Sequence, residues 1–314
     1  MKLISFVFSF RNEEKNLDEL IKRVHDQVEK LRDYKYELIF VNDDSNDNSE
    51  KILRNLQKKF PITLINMSRT FGVGPCVLAG FKQTKGDCII YMDSDLQDPP
   101  ELISELIAKY EKGADVVHTI RTKRLGEPFL KLFITKIAYK IINFLSDIKL
   151  PVESGDFKLI SRKALNKILD QDEFRPYIRG LSVWVGFKQE YVKYIRESRF
   201  EGKTKFPLFS AGPINQFISG VTAYSLKPLY FGIIVGMISI IFSLVLILYT
   251  LYIKFSGLAV PGTAGIIISI SFFSGVILFT LGITSVYIAR IFEEVRGRKS
   301  YIVKDIIKSD TEEL

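Results

Sequence analysis

Two long runs near the carboxyl end, Leu229–Ile253 and Ala264–Ala289, contain no charged residue. At ~1.5 Å per residue each helix would reach across a hydrocarbon layer of ~30 Å with some tilt. A chain carrying two such segments folds around a membrane, so the residues before them must build whatever is water-soluble. The loop between them, KFSGLAVPGT, carries one charge, Lys254. Behind the second run come Arg290, Arg296, Arg298, Lys299, Lys304 and Lys308. Positive charge stays on the cytoplasmic side, which predicts a cytoplasmic tail over 290–314. Two crossings then put the amino-terminal part on the same side, giving a multi-pass protein of the cytoplasmic membrane with both termini inside.

The residues ahead of the spans alternate between two patterns. Leu3–Phe10, Tyr36–Val41, Ile62–Asn66, Cys88–Met92 and Asp115–Ile120 are short β-branched or aromatic runs, predicted as buried strands. Glu13–Leu31, Ser49–Phe60, Pro75–Thr84 and Pro100–Lys112 read as helices, the first with apolar residues at Leu17, Leu20, Ile21, Val24, Val28 and Leu31. This alternation predicts an α/β domain over 1–205 with a mostly parallel sheet covered on both faces. In such sheets ligands bind beyond the carboxyl ends of the strands. Leu125–Ile148 is basic and amphipathic, and Phe206–Ser225 is apolar with few charges; both are expected in the bilayer interface, the second within a juxtamembrane segment over 206–228.

Composition removes several chemistries. The net charge is +8, which suits nucleic acid, an anionic membrane or an anionic substrate. No zinc-finger spacing, RNA-binding aromatic signature or long basic run supports nucleic acid. Cations gather instead beside the apolar runs, where anionic lipid would meet them. The two cysteines, Cys76 and Cys88, form no CxxC pair, and the two histidines, His25 and His118, make Ser-His-Asp catalysis or a histidine-rich metal site a poor expectation. The opening MKLISFVFSF runs directly into RNEE and reads as a first strand, not a leader peptide.

The strongest chemical signal is YMDSDLQDPPE, Tyr91–Glu101. Asp93 and Asp95 stand two apart just past a buried strand, so continued extended backbone would project both carboxylates to one side. Adjacent carboxylates repel unless a cation lies between them. A hard divalent ion, Mg²⁺ or Mn²⁺, accepts both and keeps positions for diphosphate oxygens. Such an ion neutralises the charge that builds on a leaving nucleoside diphosphate.

With this motif in place, the chain resembles the family 2 inverting glycosyltransferases of the Rossmann-like GT-A fold. Among them it is most similar to the polyisoprenyl-phosphate glycosyltransferases, over essentially its whole length. FSFRNEEKNL matches the first block, with Ser9 where a proline is usual and Arg11 where a tyrosine is usual. FVNDDSNDNS matches the second, with Asn42 where an aspartate is more usual, and SRTFGVGPCVLAG the third, with Thr70 for a frequent asparagine. The resemblance implies donor contacts at Ser9, Arg11, Glu13, Asp43, Asp93, Ser94, Asp95 and Gln97, with metal ligation at Asp93 and Asp95. ESGDFKLISR, RPYIRGLSVWVGF and RFEGKTKF imply Asp156 as a base or orienter on the acceptor side. They also imply phosphate contacts at Arg121, Arg179, Arg199 and Lys205. The implied partners are a nucleotide sugar, with a UDP-sugar favoured and UDP-glucose first, and undecaprenyl phosphate. Members of the resembled family are often homo-oligomers.

The chemistry agrees with that division of labour. A lipid phosphate is already an anion and needs little deprotonation. It needs positioning and shielding from the donor diphosphate, which arginines and a lysine supply. Two rivals predict other things. A processive polysaccharide synthase would carry Q-x-x-R-W, and the single tryptophan, Trp184, lies in SVWVGF. A catalytically inactive scaffold would find support only in Ser9, Asn42 and Thr70.

Overall fold

The computed structural model describes residues 1–124, 129–197, 211–256 and 262–309. It divides into two units, one of Met1–Ala223 with Arg298–Leu314 and one of Tyr224–Gly297.

The first unit is built on an eight-stranded sheet. In chain order its elements are β1 (Lys2–Phe10), α1 (Leu17–Val28), β2 (Tyr34–Asn42), α2 (Ser49–Leu56), β3 (Ile62–Met67), α3 (Val73–Gln83) and β4 (Cys88–Tyr91). Next come a 3-10 turn (Pro100–Leu102), α4 (Ile103–Glu111), β5 (Val116–Arg124), α5 (Phe129–Leu145), β6 (Ser154–Ser161), α6 (Arg162–Leu169), α7 (Ile178–Trp184), β7 (Gln189–Arg196) and α8 (Ala211–Thr222). The strands lie in the order β7-β5-β6-β4-β1-β2-β3-β8, the last being Val303–Lys308. Strands β1, β2, β3 and β4 pair in parallel, as does β5 with β7. Strand β6 is antiparallel to both β4 and β5.

The central strands are buried on both faces because helices cover both: Ile4, Phe6, Phe8, Leu38, Phe40 and Ile90 are fully buried on one face, and Val7, Ile39, Val41 and Ile89 on the other. Helix α1 buries Leu17, Leu20, Ile21, Val24 and Val28 and keeps Asp18 and Glu19 in its first turn, where the helix dipole favours them. Helix α3 lies close on β1 and β2 because of Gly80: a Cβ there would meet Val7 Cγ1 at 2.5 Å. On α5, Phe133, Ile137, Ile141 and Phe144 are exposed while Tyr139 and Ile142 face inward.

Part of the segment expected as a tail returns to the sheet. Its residues Val303–Lys308 form β8, antiparallel to β3, with Asn66 opposite Asp305 and Leu64 opposite Ile307. The alternating VKDIIK pattern half-buries Val303, Asp305 and Ile307 and exposes the residues between them. Strands β6 and β7 likewise have no counterpart among the strands that the sequence predicts.

The second unit is two helices, α9 (Lys227–Phe255) and α10 (Thr263–Val295). Each holds a stretch, Lys227–Ile253 and Phe272–Val295, long and apolar enough to cross a membrane, with almost none of it buried. Phe242 packs on Phe272 and Phe273 between them, and Tyr287 donates to the Ser225 carbonyl at 2.7 Å.

Candidate active site

The carboxyl ends of β4, β1 and β2 are adjacent, and the residues expected to hold a donor gather there. Register places Val7 beside Tyr91 and Phe10 beside Asn42. Beyond these positions the chain turns through Arg11–Glu13, Asp43–Asn48 and Asp93–Asp98. Ser94 Oγ donates to the Ser9 carbonyl at 3.2 Å and so ties the third of these turns to the end of β1. Asp43 accepts from the Phe71 and Gly72 amides at 2.7 and 3.0 Å. Its carboxylate therefore holds the chain before α3 at the carboxyl end of β2. Glu13 is also tied into the fold: its amide donates to Ser49 Oγ at 3.0 Å and its carboxylate accepts from Asn16 Nδ2 at 2.5 Å. Arg11 is exposed at the rim.

The extended backbone expected through Asp93 and Asp95 is absent. Strand β4 stops at Tyr91, and Ser94 and Asp95 lie in a turn. Leu96 closes it at φ 57°, a left-handed conformation costly for a side chain of its size. Its burial in the core fixes that conformation. Gln97 then donates through its amide to Asp95 Oδ1 at 3.3 Å, and its carbonyl accepts from the Glu197 amide.

Strand β6 brings the second half of the site. Tyr91 is opposite Lys158 on antiparallel strands, so Asp93 and Asp156 arrive at the same end. Asp156 is gripped by Arg179 at the start of α7, Nε to Oδ1 at 2.9 Å and Nη2 to Oδ2 at 2.5 Å. Arg179 Nη1 also donates to the Tyr139 hydroxyl at 3.2 Å, which in turn donates to the Ser154 carbonyl. Burial would raise the Asp156 carboxyl, but the Arg179 guanidinium outweighs it and, with Lys158 and Arg121, holds it well below the usual carboxylate range. Asp93 has the opposite fate: burial, then Asp156, Asp95 and Asp98, push its carboxyl up to about 8.

That crowding is what a divalent cation relieves. Among the described residues no set of three or more His, Cys, Asp and Glu side chains stands in a metal-holding arrangement. An ion here would rest on Asp93 and Asp95 and draw its other oxygens from a diphosphate, a coordination that suits Mg²⁺ or Mn²⁺. The residues fit such an ion.

Beneath this layer lies a charged cluster that the D-x-D spacing does not reveal. Asp98 is fully buried and accepts a short hydrogen bond from the Tyr194 hydroxyl. Arg121 lies 3.6 Å from one of its oxygens and Arg196 3.5 Å from the other. Arg121 Nε donates to Tyr194 at 2.9 Å. The guanidinium passes so close to Gly155 that a Cβ would sit 2.5 Å from Nη2. Arg121, expected to meet a phosphate, is therefore turned inward and committed to Asp98. Lys158 is a further member that no motif marks: fully buried, it donates to Ser182 Oγ at 3.1 Å, and that hydroxyl donates to the Arg179 carbonyl. Arg199 and Lys205 lie outside the described residues.

Residues 5–169 match the model of glycosyl transferase family 2. The chain is a family 2 glycosyltransferase. Over 308 residues the enzyme is 38% identical to a glycosyltransferase of Synechocystis, covering 96% of this chain and 95% of that one. It is 35% identical over 306 residues to the SfII prophage-derived bactoprenol glucosyl transferase of Shigella flexneri, covering 96% and 97%. Among solved structures it is similar in fold to glucosyl-3-phosphoglycerate synthase from Mycobacterium tuberculosis in complex with Mn²⁺, UDP and phosphoglyceric acid. The TM-score is 0.50 at 18% identity, over 71% of this chain and 78% of that one. The sheet of this glycosyltransferase, four parallel strands flanked by antiparallel β6 and β8, is thus a GT-A sheet.

Proposed function

We propose that this glycosyltransferase moves glucose from UDP-glucose to undecaprenyl phosphate at the cytoplasmic face of the membrane, with inversion at the anomeric carbon. The observation that carries the reading is the 35% identity to a bactoprenol glucosyl transferase over 96% of the chain, which takes in the sheet and both apolar helices. Helices α9 and α10 would hold the enzyme in the bilayer, and the exposed apolar stripe of α5 would touch its surface.

In the reaction, an oxygen of the lipid phosphate attacks C1 of glucose from the face opposite the diphosphate. The C1–phosphate bond forms as the bond from C1 to the diphosphate oxygen breaks, and UDP leaves with that electron pair. Ser9, Asp43, Ser94 and Gln97 hold the donor at the ends of β4, β1 and β2. A divalent ion on Asp93 and Asp95 would supply charge neutralisation to the diphosphate. The nucleophile enters as an anion, so no base is required, and Asp156 is a poor one while Arg179 holds its carboxyl low. Asp156 instead orients Arg179 at the acceptor side, and Arg121 braces Asp98 from below. Arg199 and Lys205 carry the phosphate of the acceptor.

The test is transfer by purified enzyme from a panel of radiolabelled nucleotide sugars to undecaprenyl phosphate. A chloroform-soluble glucosyl lipid formed from UDP-glucose, with UDP released in equal amount, is the expected result. Transfer from a different nucleotide sugar alone would overturn the donor assignment, and UDP release without a lipid product would overturn the acceptor.

A further inference from the structure

Three polar side chains stand in register across β2, β3 and β8: Asn42 opposite Asn66, and Asn66 opposite Asp305. Both asparagines are 4% exposed. Asn66 Nδ2 donates to Asp305 Oδ1 at 2.8 Å, and Asn42 Nδ2 donates to Asn66 Oδ1 at 2.9 Å. Asn42 Oδ1 then accepts from the Ser45 amide at 2.9 Å. Ser45 continues into the donor end of the sheet: its Oγ accepts from the Asn12 amide at 3.0 Å, and Asn12 Oδ1 accepts from the Asn46 amide at 2.9 Å. Asn12 and Asp44 are both left-handed, at φ 55° and 58°, so this pair of turns depends on its hydrogen bonds to keep its shape.

We infer that Asp305, on the strand that follows the two apolar helices in the chain, is a positioning residue for the donor loop, acting through the Asn66–Asn42 ladder. The inference rests on the reading of Arg11–Glu13 and Asp43–Asn48 as the nucleotide site.

The direction of the ladder has a physical cause. A carboxylate only accepts, and a backbone amide only donates. With Asp305 at one end and the Ser45 amide at the other, each asparagine between them has one orientation that satisfies both neighbours. Because both are buried, a reversed amide would leave two acceptors face to face without a proton, which is costly away from water. The asparagine at position 42 is thereby explained. An aspartate there could still accept from Ser45 but could not donate to Asn66. If Asn66 flipped to serve it, Asn66 Oδ1 would face Asp305.

The fixed direction of the ladder sets the outcome of paired changes. Asp305→Asn alone is tolerated, because its amide oxygen can still accept from Asn66. Asn42→Asp alone breaks the ladder. The double variant Asn42→Asp/Asp305→Asn restores it running backwards. The introduced amide at position 305 donates to Asn66, and Asn66 donates to the introduced carboxylate at position 42. The Ser45 amide still donates to that carboxylate. A residue that merely filled space would show no such reciprocity.

The test measures UDP binding and amide hydrogen exchange on the full chain in detergent, in peptides covering 43–48 and 303–309. Asn42→Asp is expected to weaken UDP binding roughly tenfold, to raise the donor KM with little change in the acceptor KM, and to speed exchange in 43–48. Adding Asp305→Asn is expected to recover most of each loss. Asp305→Ala is expected to speed exchange in 43–48 although that loop lies on the far side of β3. A double variant no better than Asn42→Asp overturns the inference, as does unchanged exchange in 43–48 for Asp305→Ala. If the exchange pattern appears but the wild type binds no UDP, the ladder stands and the nucleotide reading falls.

Discussion

Replacing Lys158 by methionine tests whether the layer beneath the site is built for stability or for function. Lys158 is fully buried and donates to Ser182. Burial lowers its ammonium from 10.5 to about 8, with Asp156 acting against the fall and Arg179 and Arg121 adding to it. At 1.36 kcal/mol per decade, the drop makes the ammonium about 3 kcal/mol costlier in the fold than in the unfolded chain. Methionine has similar length and no charge. It loses the hydrogen bond to Ser182, worth about 1 kcal/mol, so Lys158→Met should gain about 2 kcal/mol at pH 7. For a unit of this size that is a rise in Tm of about 4–8 °C.

The pH dependence fixes the sign. Between about 8 and 10.5 the unfolded chain holds the Lys158 proton and the folded one does not. Stability of the wild type therefore climbs through that window relative to the variant. Below it the full penalty is present, and above it both states are neutral and the penalty is gone. Activity should move the other way. Lys158 braces Ser182, which holds the carbonyl of Arg179, and its charge helps keep Asp156 ionised. Turnover is expected to fall by roughly tenfold, equivalent to ~1.4 kcal/mol. Thermal unfolding of both proteins in detergent from pH 7 to 10.5, beside glucosyl transfer at pH 7, decides it. A variant that melts lower than the wild type, or a gap that does not change with pH, would refute the reasoning.

Asp95→Asn should abolish transfer while the protein still folds, and chelation should silence the wild type; full turnover in excess EDTA would remove the ion from the reading. Asp98→Ala strands Arg121 and Arg196 in a buried position and should cost about 3–5 kcal/mol of stability, whereas Asp98→Asn, which can still accept from Tyr194, should cost less, both read as Tm in detergent. Because Cys76 and Cys88 are buried, cysteines placed at Ser256 and Lys299 report topology cleanly: an impermeant thiol reagent applied to intact cells should label the first and spare the second, and the reverse pattern would invert the proposed orientation.

The half of the sheet nearest the amino terminus is legible in sequence because burial on both faces leaves β1, β2 and β4 as mostly apolar runs, broken only by Ser5 and Ser9 in β1 and by Lys35 and Glu37 in β2, and α1 shows its buried face by spacing. The same logic hides β6. Its core-facing run is interrupted by Asp156 and Lys158, so SGDFKLIS looks like a motif and not like a central strand, although Phe157, Leu159 and Ile160 are all fully buried. Strands β7 and β8 lie at the sheet edges, where half the residues are polar, and each pairs with a strand far from it in the chain, β5 and β3. Asp93 and Asp95 are visible as a spacing. The turn that presents them is not, since it depends on Leu96 accepting a left-handed backbone in exchange for core packing.

The charge pairs are invisible for a different reason: partners 23 residues apart, such as Asp156 and Arg179, meet only once β6 and α7 are folded. Their meeting changes what each can do. Read singly, Asp156 is a candidate base and Arg179 a phosphate ligand. Paired, the carboxylate is too acidic to take a proton at neutral pH, and the guanidinium has its fork engaged by an anion already present. Arg121 is likewise engaged by Asp98. A dianionic lipid phosphate approaching a diphosphate still requires uncompensated positive charge, because like-charge repulsion in a partly buried site is weakly screened. The two internal pairs contribute orientation but no net charge. Lys158 beside Asp156 and Arg196 beside Asp98 add positive charge to that layer from within the sheet, and in the proposed mechanism Arg199 and Lys205, in the basic RFEGKTKF stretch between β7 and α8, make the direct contacts to the acceptor phosphate.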